Sequence, residues 1–148
     1  MTPGEIIGLL EYLDARRGRE DVFKIASDTH REYGAVIPVV NAAEMLGFVD
    51  TPKRTVVMNP DGAKFVKAEL EERRAIWKKQ LLDLRLFRDI NDLVERAPNR
   101  TLESDVALSY IVTRLPQEDY EKVFETFVGW SRFGQLVHFD GASETLYL

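Results

Sequence analysis

The stretch from Gly34 to Gly62, GAVIPVVNAAEMLGFVDTPKRTVVMNPDG, constrains the fold more than any other part of the chain. Its apolar residues first recur at helical spacing, which predicts a helix from about Val36 to Leu46 that ends at Gly47. Phe48–Thr51 and Thr55–Met58 then read as two short strands around a Pro52-Lys53-Arg54 turn. Asn59-Pro60 is the signature of a new helix start, with Asn59 as cap. Gly62 falls in the first turn of that helix. It weakens the helix there, so a close approach of another backbone is its expected use. A helix, a two-stranded wing and a second helix form the closing half of a winged-helix unit. Nearly the same succession of signals recurs over Pro116–Leu148.

The rest of the chain fits around these two stretches. Thr2-Pro3-Gly4-Glu5 predicts a helix start with a capping box, followed by Ile6, Leu9, Leu10 and Leu13 on one face. Arg19-Glu20-Asp21 leads into a second helix with Val22, Ile25 and Ala26 inward, and Gly34 is expected to end it. Pro38 is expected in the first turn of the third helix, where proline is tolerated. From Ala63 the apolar positions Val66, Leu70, Trp77, Leu81, Leu84 and Phe87 predict one helix of roughly six turns. Glu69, Glu71 and Glu72 lead Arg73, Arg74, Lys78 and Lys79 along it, an order that suits i,i+4 pairing. Its apolar stripe is expected to serve the intramolecular core, with homodimerisation as the second use.

Leu86, Phe87, Ile90, Leu93 and Val94 open a second unit, with a kink allowed where it begins, then a helix ending at Pro98 and another capped by Thr101 or Ser104. Pro116 is expected to start the last helix and Gly134 to end it, with Tyr120, Val123, Phe124, Phe127 and Trp130 inward. Alternation around Asp140-Gly141-Ala142-Ser143 predicts the second wing. The fold class expected is therefore mainly α with small β-hairpin wings (α+β): a first winged-helix unit over 1–62, a linker helix over 63–85 and a second winged-helix-like unit over 86–148.

Composition narrows the function. The 148 residues include no cysteine, which removes disulfides and thiolate metal sites. No apolar run approaches the ~18 residues of a membrane span, and the start lacks a signal-peptide pattern, so a cytoplasmic location is expected. Residues 1–88 hold 15 Lys/Arg and 14 Asp/Glu, whereas residues 89–148 hold 5 and 11. The acidic second half is not a footprint for nucleic acid. The third helix exposes Asn41 and Glu44 but no Lys or Arg, unlike a helix that reads base edges. Phosphate contacts, if made, would fall to Lys53 and Arg54 in the wing with Arg16, Arg17 and Arg19.

No catalytic constellation stands out. His30 and His138 have no second ligand at metal spacing, and neither GxxxxGK[ST] nor GxGxxG occurs. The serines lack a nucleophile-elbow context. No enzyme activity, cofactor or metal is expected. Trp130-Ser131-Arg132-Phe133, at the end of the last helix, reads as core aromatics with a solvated arginine. Its functional alternative is an anchor for a protein partner made by Trp130, Arg132 and Phe133, with the linker-helix face near Trp77.

The order of these pieces resembles the AAA-associated C-terminal domain family, which follows the ATP-binding subunit of ABC importers of the nitrate/sulfonate/taurine type. The likeness rests on Gly18-Arg19-Glu20-Asp21, Leu46-Gly47, Pro60-Asp61-Gly62, the Arg/Glu/Leu-rich helix, Leu115-Pro116-Gln117-Glu118, Trp130-Ser131-Arg132-Phe133 and the final Asp-Gly hairpin. The resemblance implies an accessory or regulatory role beside such an ATPase. It does not carry over ATP hydrolysis, because no Walker motif is present. The leading expectation is a non-catalytic tandem winged-helix module that binds protein, either an ABC-transporter ATPase subunit or itself. The alternative is a winged-helix DNA-binding transcriptional regulator. Small-molecule sensing between the units has no residue in its favour.

Overall fold

Helix α1 (Pro3–Asp14) starts on the expected capping box: Thr2 Oγ1 accepts from the Glu5 amide at 3.3 Å, and Glu5 Oε1 accepts from the Thr2 amide at 3.4 Å. Ile6, Leu9, Leu10 and Leu13 are buried along its inner face. Gly18, at φ +82°, turns the chain into strand β1 (Arg19–Asp21), which was expected as the lead-in to a helix. Three residues are too few to display a period of two, so the strand is defined only by its partner. Asp21 ends β1 and caps α2 (Val22–Asp28), accepting from the Phe23 amide at 2.8 Å.

Helix α2 ends six residues before Gly34. Thr29 is its C-cap, and His30 takes the left-handed position that glycine was expected to fill, at φ +55°. Gly34 lies instead in the first turn of α3 (Tyr33–Met45), so Pro38 falls in the second turn rather than the first. A proline there clashes with the turn before it and removes one donor. Gly34, four residues earlier, has no side chain, and both residues are exposed. Val36, Val39, Val40 and Ala43 are buried as the spacing predicts.

Strands β2 (Val49–Asp50) and β3 (Thr55–Met58) follow, and β3 lies between β1 and β2 in an antiparallel sheet, Arg19 facing Val57 and Val49 facing Met58. Asn59 caps α4 (Pro60–Lys67): its Oδ1 accepts from the Gly62 amide at 3.0 Å while its Nδ2 donates to the Gly47 carbonyl at 2.7 Å. A Cβ at Gly62 would stand 2.3 Å from the Phe48 carbonyl oxygen and 2.7 Å from Met58 Cγ, so the expected close backbone approach is present.

The linker helix expected over 63–85 is divided near Ala68 into α4 and α5 (Leu70–Leu82), and α6 (Arg85–Arg96) begins where a kink into the second unit was allowed. Arginine side chains from the following helix satisfy carbonyls at both breaks. Arg73 donates through Nε to Phe65 O and Ala68 O and through Nη2 to Val66 O, while Arg88 Nη1 donates to Leu82 O at 3.4 Å. These bonds serve carbonyls that a helix end leaves without partners. Neither break contains Gly or Pro, so periodicity runs through both. The apolar stripe is drawn into two interiors, with Leu70 its one strongly exposed member.

The computed structural model describes residues Met1–Leu148 and divides them into two units, Met1–Arg73 and Arg74–Leu148. In the second unit, α6 is followed by a 3-10 turn at Pro98–Arg100, strand β4 (Thr101–Glu103), helices α7 (Ser104–Arg114) and α8 (Tyr120–Gly134), and strands β5 (His138–Asp140) and β6 (Thr145–Tyr147). Helix α8 starts four residues later than Pro116, because Asp119 Oδ1 accepts from the amides of Glu121 and Lys122 and fixes the start there. Strand β6 lies between β4 and β5, as β3 lies between β1 and β2. Each unit thus runs helix, strand, helix, helix, strand, strand, with the last strand central.

A buried-edge clasp also recurs. Tyr12 of α1 donates to Asp28 of α2 at 2.8 Å, with the Arg16 guanidinium 3.8 Å above the Tyr12 ring. In the second unit Tyr110 of α7 donates to Asp89 of α6. These hydrogen bonds hold both carboxyls below the usual range, and burial together with the carboxylate pushes the Tyr12 hydroxyl up to about 12.

Two outcomes are expected. Gly62→Ala should cost about 2–3 kcal/mol in chemical denaturation, since the obstacle is a backbone carbonyl. The clasps should stabilise fully above the unfolded aspartate pKa and lose that stability as pH falls through the lowered folded values. The Tyr12 contribution should be full below about pH 10 and disappear as pH rises through about 12. Melting of wild type against Tyr12→Phe across both windows checks the signs.

Candidate functional site

The residues expected to anchor a partner lie mostly inside the second unit. Trp77 of α5 is fully buried and Trp130 of α8 is 3% exposed. Trp77 Nε1 donates to the Trp130 carbonyl at 3.0 Å, and its ring meets the rings of Trp130 and Phe133 edge-on, with centroids 6.1 and 5.0 Å away. Phe87 stacks on both Trp130 and Phe127. Arg74 Nη1 donates to the Phe133 carbonyl at 2.6 Å and lies over the Phe133 ring. Gly134 makes this approach possible: a Cβ there would be 2.9 Å from Trp77 Cδ1. Indoles this deep and this well partnered offer no docking surface, so the anchor of Trp77 and Trp130 is a core. Phe133 is half-buried, and only Arg132 of the four is exposed.

The cations expected at phosphate are scattered and partly neutralised. Arg16 pairs with Asp28 at 3.2 Å and approaches Glu20 at 3.9 Å. Arg54 Nε pairs with Asp21 at 2.6 Å. Burial pushes the Asp21 carboxyl up, but the Phe23 amide and the Arg54 guanidinium outweigh it and hold the group below the usual carboxylate range. Arg17, Arg19 and Lys53 are exposed, with Arg17 and Lys53 in left-handed turn conformations. Along α3 the exposed positions are Tyr33, Gly34, Ala35, Pro38, Asn41, Glu44 and Met45, none of them basic. Thr51 Oγ1 donates to the Glu44 carboxylate at 2.8 Å and fixes an acid beside the wing.

The charge division also shifts. Met1–Arg73 holds 10 Lys/Arg and 13 Asp/Glu, and Arg74–Leu148 holds 10 and 12. Arg74, Lys78 and Lys79 of α5 and Arg85 and Arg88 at the start of α6 belong to the second unit, so both units are mildly acidic. The argument against a nucleic-acid footprint therefore rests on where individual charges sit. In the second unit the exposed acids Glu118, Asp119, Glu121 and Glu125 occupy the third-helix position.

The structure brings forward a surface that the sequence did not single out. Phe23 and Tyr33 stack with centroids 4.9 Å apart, yet they are 52% and 47% exposed, and Arg54 lies over the Phe23 ring. Beside them a groove of about 190 Å³ runs between α3 and the wing. Val22, Val40 and Val56 line it, Tyr33 and Ile37 form one side, and Lys53 and Arg54 are its only charged lining residues. Met45, at the far end of α3, is 61% exposed. Phe23 and Met45 fall out of phase with the buried positions of their helices, and that mismatch was the available signal, whereas Tyr33 is in phase with Val36 and Val40 and is exposed as the first residue of α3.

Metal chemistry has no gathering point: no three His, Cys, Asp or Glu side chains come together. His30 closes α2, and His138 lies 5.4 Å from the Tyr147 ring across the second sheet. No helix is long and apolar enough to cross a membrane.

Two successive units of this topology define a tandem winged-helix-like protein. Residues 23–140 match the family described as the C-terminal AAA-associated domain, and the chain belongs to that family. No match was found among curated proteins or among solved structures.

The division between core and surface is measurable. Trp130→Ala should cost about 3–5 kcal/mol of unfolding free energy, whereas Arg132→Ala should stay within about 0.5 kcal/mol. Urea titrations followed by far-UV circular dichroism would separate the two.

Proposed function

We propose that this chain is a non-catalytic accessory module that binds protein and acts beside an ATPase of the ABC-importer type. Family membership supports an ATPase association, because the family is AAA-associated. The nitrate/sulfonate/taurine class of importer enters through the motif resemblance alone. The observation that carries the interaction role is the exposed Phe23–Tyr33 stack beside a mixed aliphatic and polar groove on the helix-and-wing face. In a DNA-binding winged helix that face carries cations and amides that read base edges. Here it carries aromatic and aliphatic side chains with a single amide, Asn41, the hydroxyl of Thr51 and two cations, one of them already paired to Asp21. Such a surface gains free energy by removing apolar area from water against a protein. A regulatory effect follows if binding is tighter to one nucleotide state of the ATPase, since differential affinity shifts an equilibrium.

The test is calorimetric titration of this protein into a purified ATP-binding subunit of such an importer, with and without nucleotide. Saturable binding is expected, weakened at least tenfold by the double substitution Phe23→Ser/Tyr33→Ser, with no ATP turnover by this chain alone. A parallel anisotropy titration with duplex DNA is expected to stay flat at low salt. Salt-sensitive DNA binding that disappears in Lys53→Ala/Arg54→Ala, with no ATPase binding, would replace this reading with the transcriptional regulator.

A further inference from the structure

The helix-and-wing groove of the first unit has a chemical counterpart elsewhere in the same chain. Its floor is aliphatic, and the exposed faces of Phe23 and Tyr33 adjoin it. At its mouth Arg54 is held by Asp21, whereas Lys53 projects from the wing tip with no carboxylate within ion-pair distance. A groove of about 190 Å³ accepts one aromatic or aliphatic side chain, with an anion beside it for Lys53.

The segment Glu118-Asp119-Tyr120-Glu121, which leads into α8, carries that combination. Tyr120 is 41% exposed, and Glu118, Asp119 and Glu121 are exposed on either side of it. Tyr120 is the first residue of α8, held out by the Asp119 cap rather than packed beneath the helix. An exposed tyrosine among three carboxylates has little use in a folded interior, and it is complementary in both shape and sign to the groove.

We infer that the groove receives Tyr120 of a second copy of this chain, with Lys53 facing the carboxylates of Glu118 and Glu121. Each copy has one groove and one such segment, so one copy presents Tyr120 while another presents the groove, and a pair is the first product of association. The buried surface is small for a stable dimer, and the association is therefore concentration-dependent and transient. It is also salt-sensitive, because exposed charges flank the apolar insertion. The ATPase-binding reading uses the same groove, so the two occupants compete for it, and the ATPase titration and the self-association measurement tell them apart. The self-association uses a different surface from the apolar stripe of α5, whose Trp77 and Leu81 are buried within the second unit.

Sedimentation velocity on the whole protein over a wide concentration range, at low salt and at about 0.5 M salt, gives the test. The expected result is a rise from the 17.0 kDa chain mass toward twice that mass, suppressed by salt. Tyr120→Ala and Lys53→Glu should each weaken the association about tenfold. Glu118→Lys mixed with Lys53→Glu should restore it, because the swapped charges meet only between chains. Asp119 is left in place throughout, since it caps α8. A chain that stays at 17.0 kDa at every concentration overturns the inference, as does a dimer indifferent to Tyr120 and Lys53. A monomer whose ATPase binding is lost in Lys53→Glu also overturns it, by assigning the groove to the ATPase.

Discussion

Each unit is organised around one place where a helix meets its neighbour with no Cβ between them. In the first unit that place is Gly62, set against the Phe48 carbonyl. The approach brings Asn59 within reach of the Gly47 carbonyl, so one side chain caps α4 and ties it to the turn before β2. Phe65 then reaches Phe48, their rings 5.0 Å apart, and both are fully buried. In the second unit the place is Gly134 against Trp77. That contact sets the depth of the indole and aligns its N–H with the Trp130 carbonyl. A buried indole N–H without an acceptor would be costly, so the backbone approach and the hydrogen bond depend on one another.

Much of this was legible in the sequence, and the failures have identifiable causes. The inward faces of α1 and α3 were readable because helical periodicity reports burial directly, and that of α8 in part, since Phe127 and Trp130 are buried but Tyr120 at its first position is exposed. Gly62 was readable because glycine in a first turn weakens a helix without an evident local purpose. Strands β1 and β4 were not readable: each has three residues, and each is a strand only because a later segment pairs with it. The break around Ala68 was hidden because Arg73 satisfies carbonyls there, an arrangement that leaves no punctuation in the chain, whereas the break at Asp83–Leu84 falls beside the expected end of the linker helix at 85. The end of α2 was misplaced because His30 and Thr29 end it without a glycine.

The candidate site divides in the same way. Trp130-Ser131-Arg132-Phe133 is conspicuous as a motif because it builds a core. The exposed Phe23–Tyr33 pair comes from two helices and becomes a surface only when α2 and α3 pack. The cations show why counting charge along a sequence is a weak guide. Arg16 and Arg54 are each beside a carboxylate, and the basic run of α5 belongs to the unit that looked purely acidic.

The central position of the last strand in each sheet has a consequence for synthesis. Strand β1 emerges from a ribosome well before β3, its only sheet partner, and must wait as an unpaired segment until about Met58 is free. In the second unit β4 and β5 wait for β6, Thr145–Tyr147. The first unit is therefore able to close its sheet while the second is still being translated. The second keeps two edges open until its final strand inserts between them. Vectorial growth thus exposes both units to misassembly in the same way, each holding two unpaired strands until its last one inserts between them.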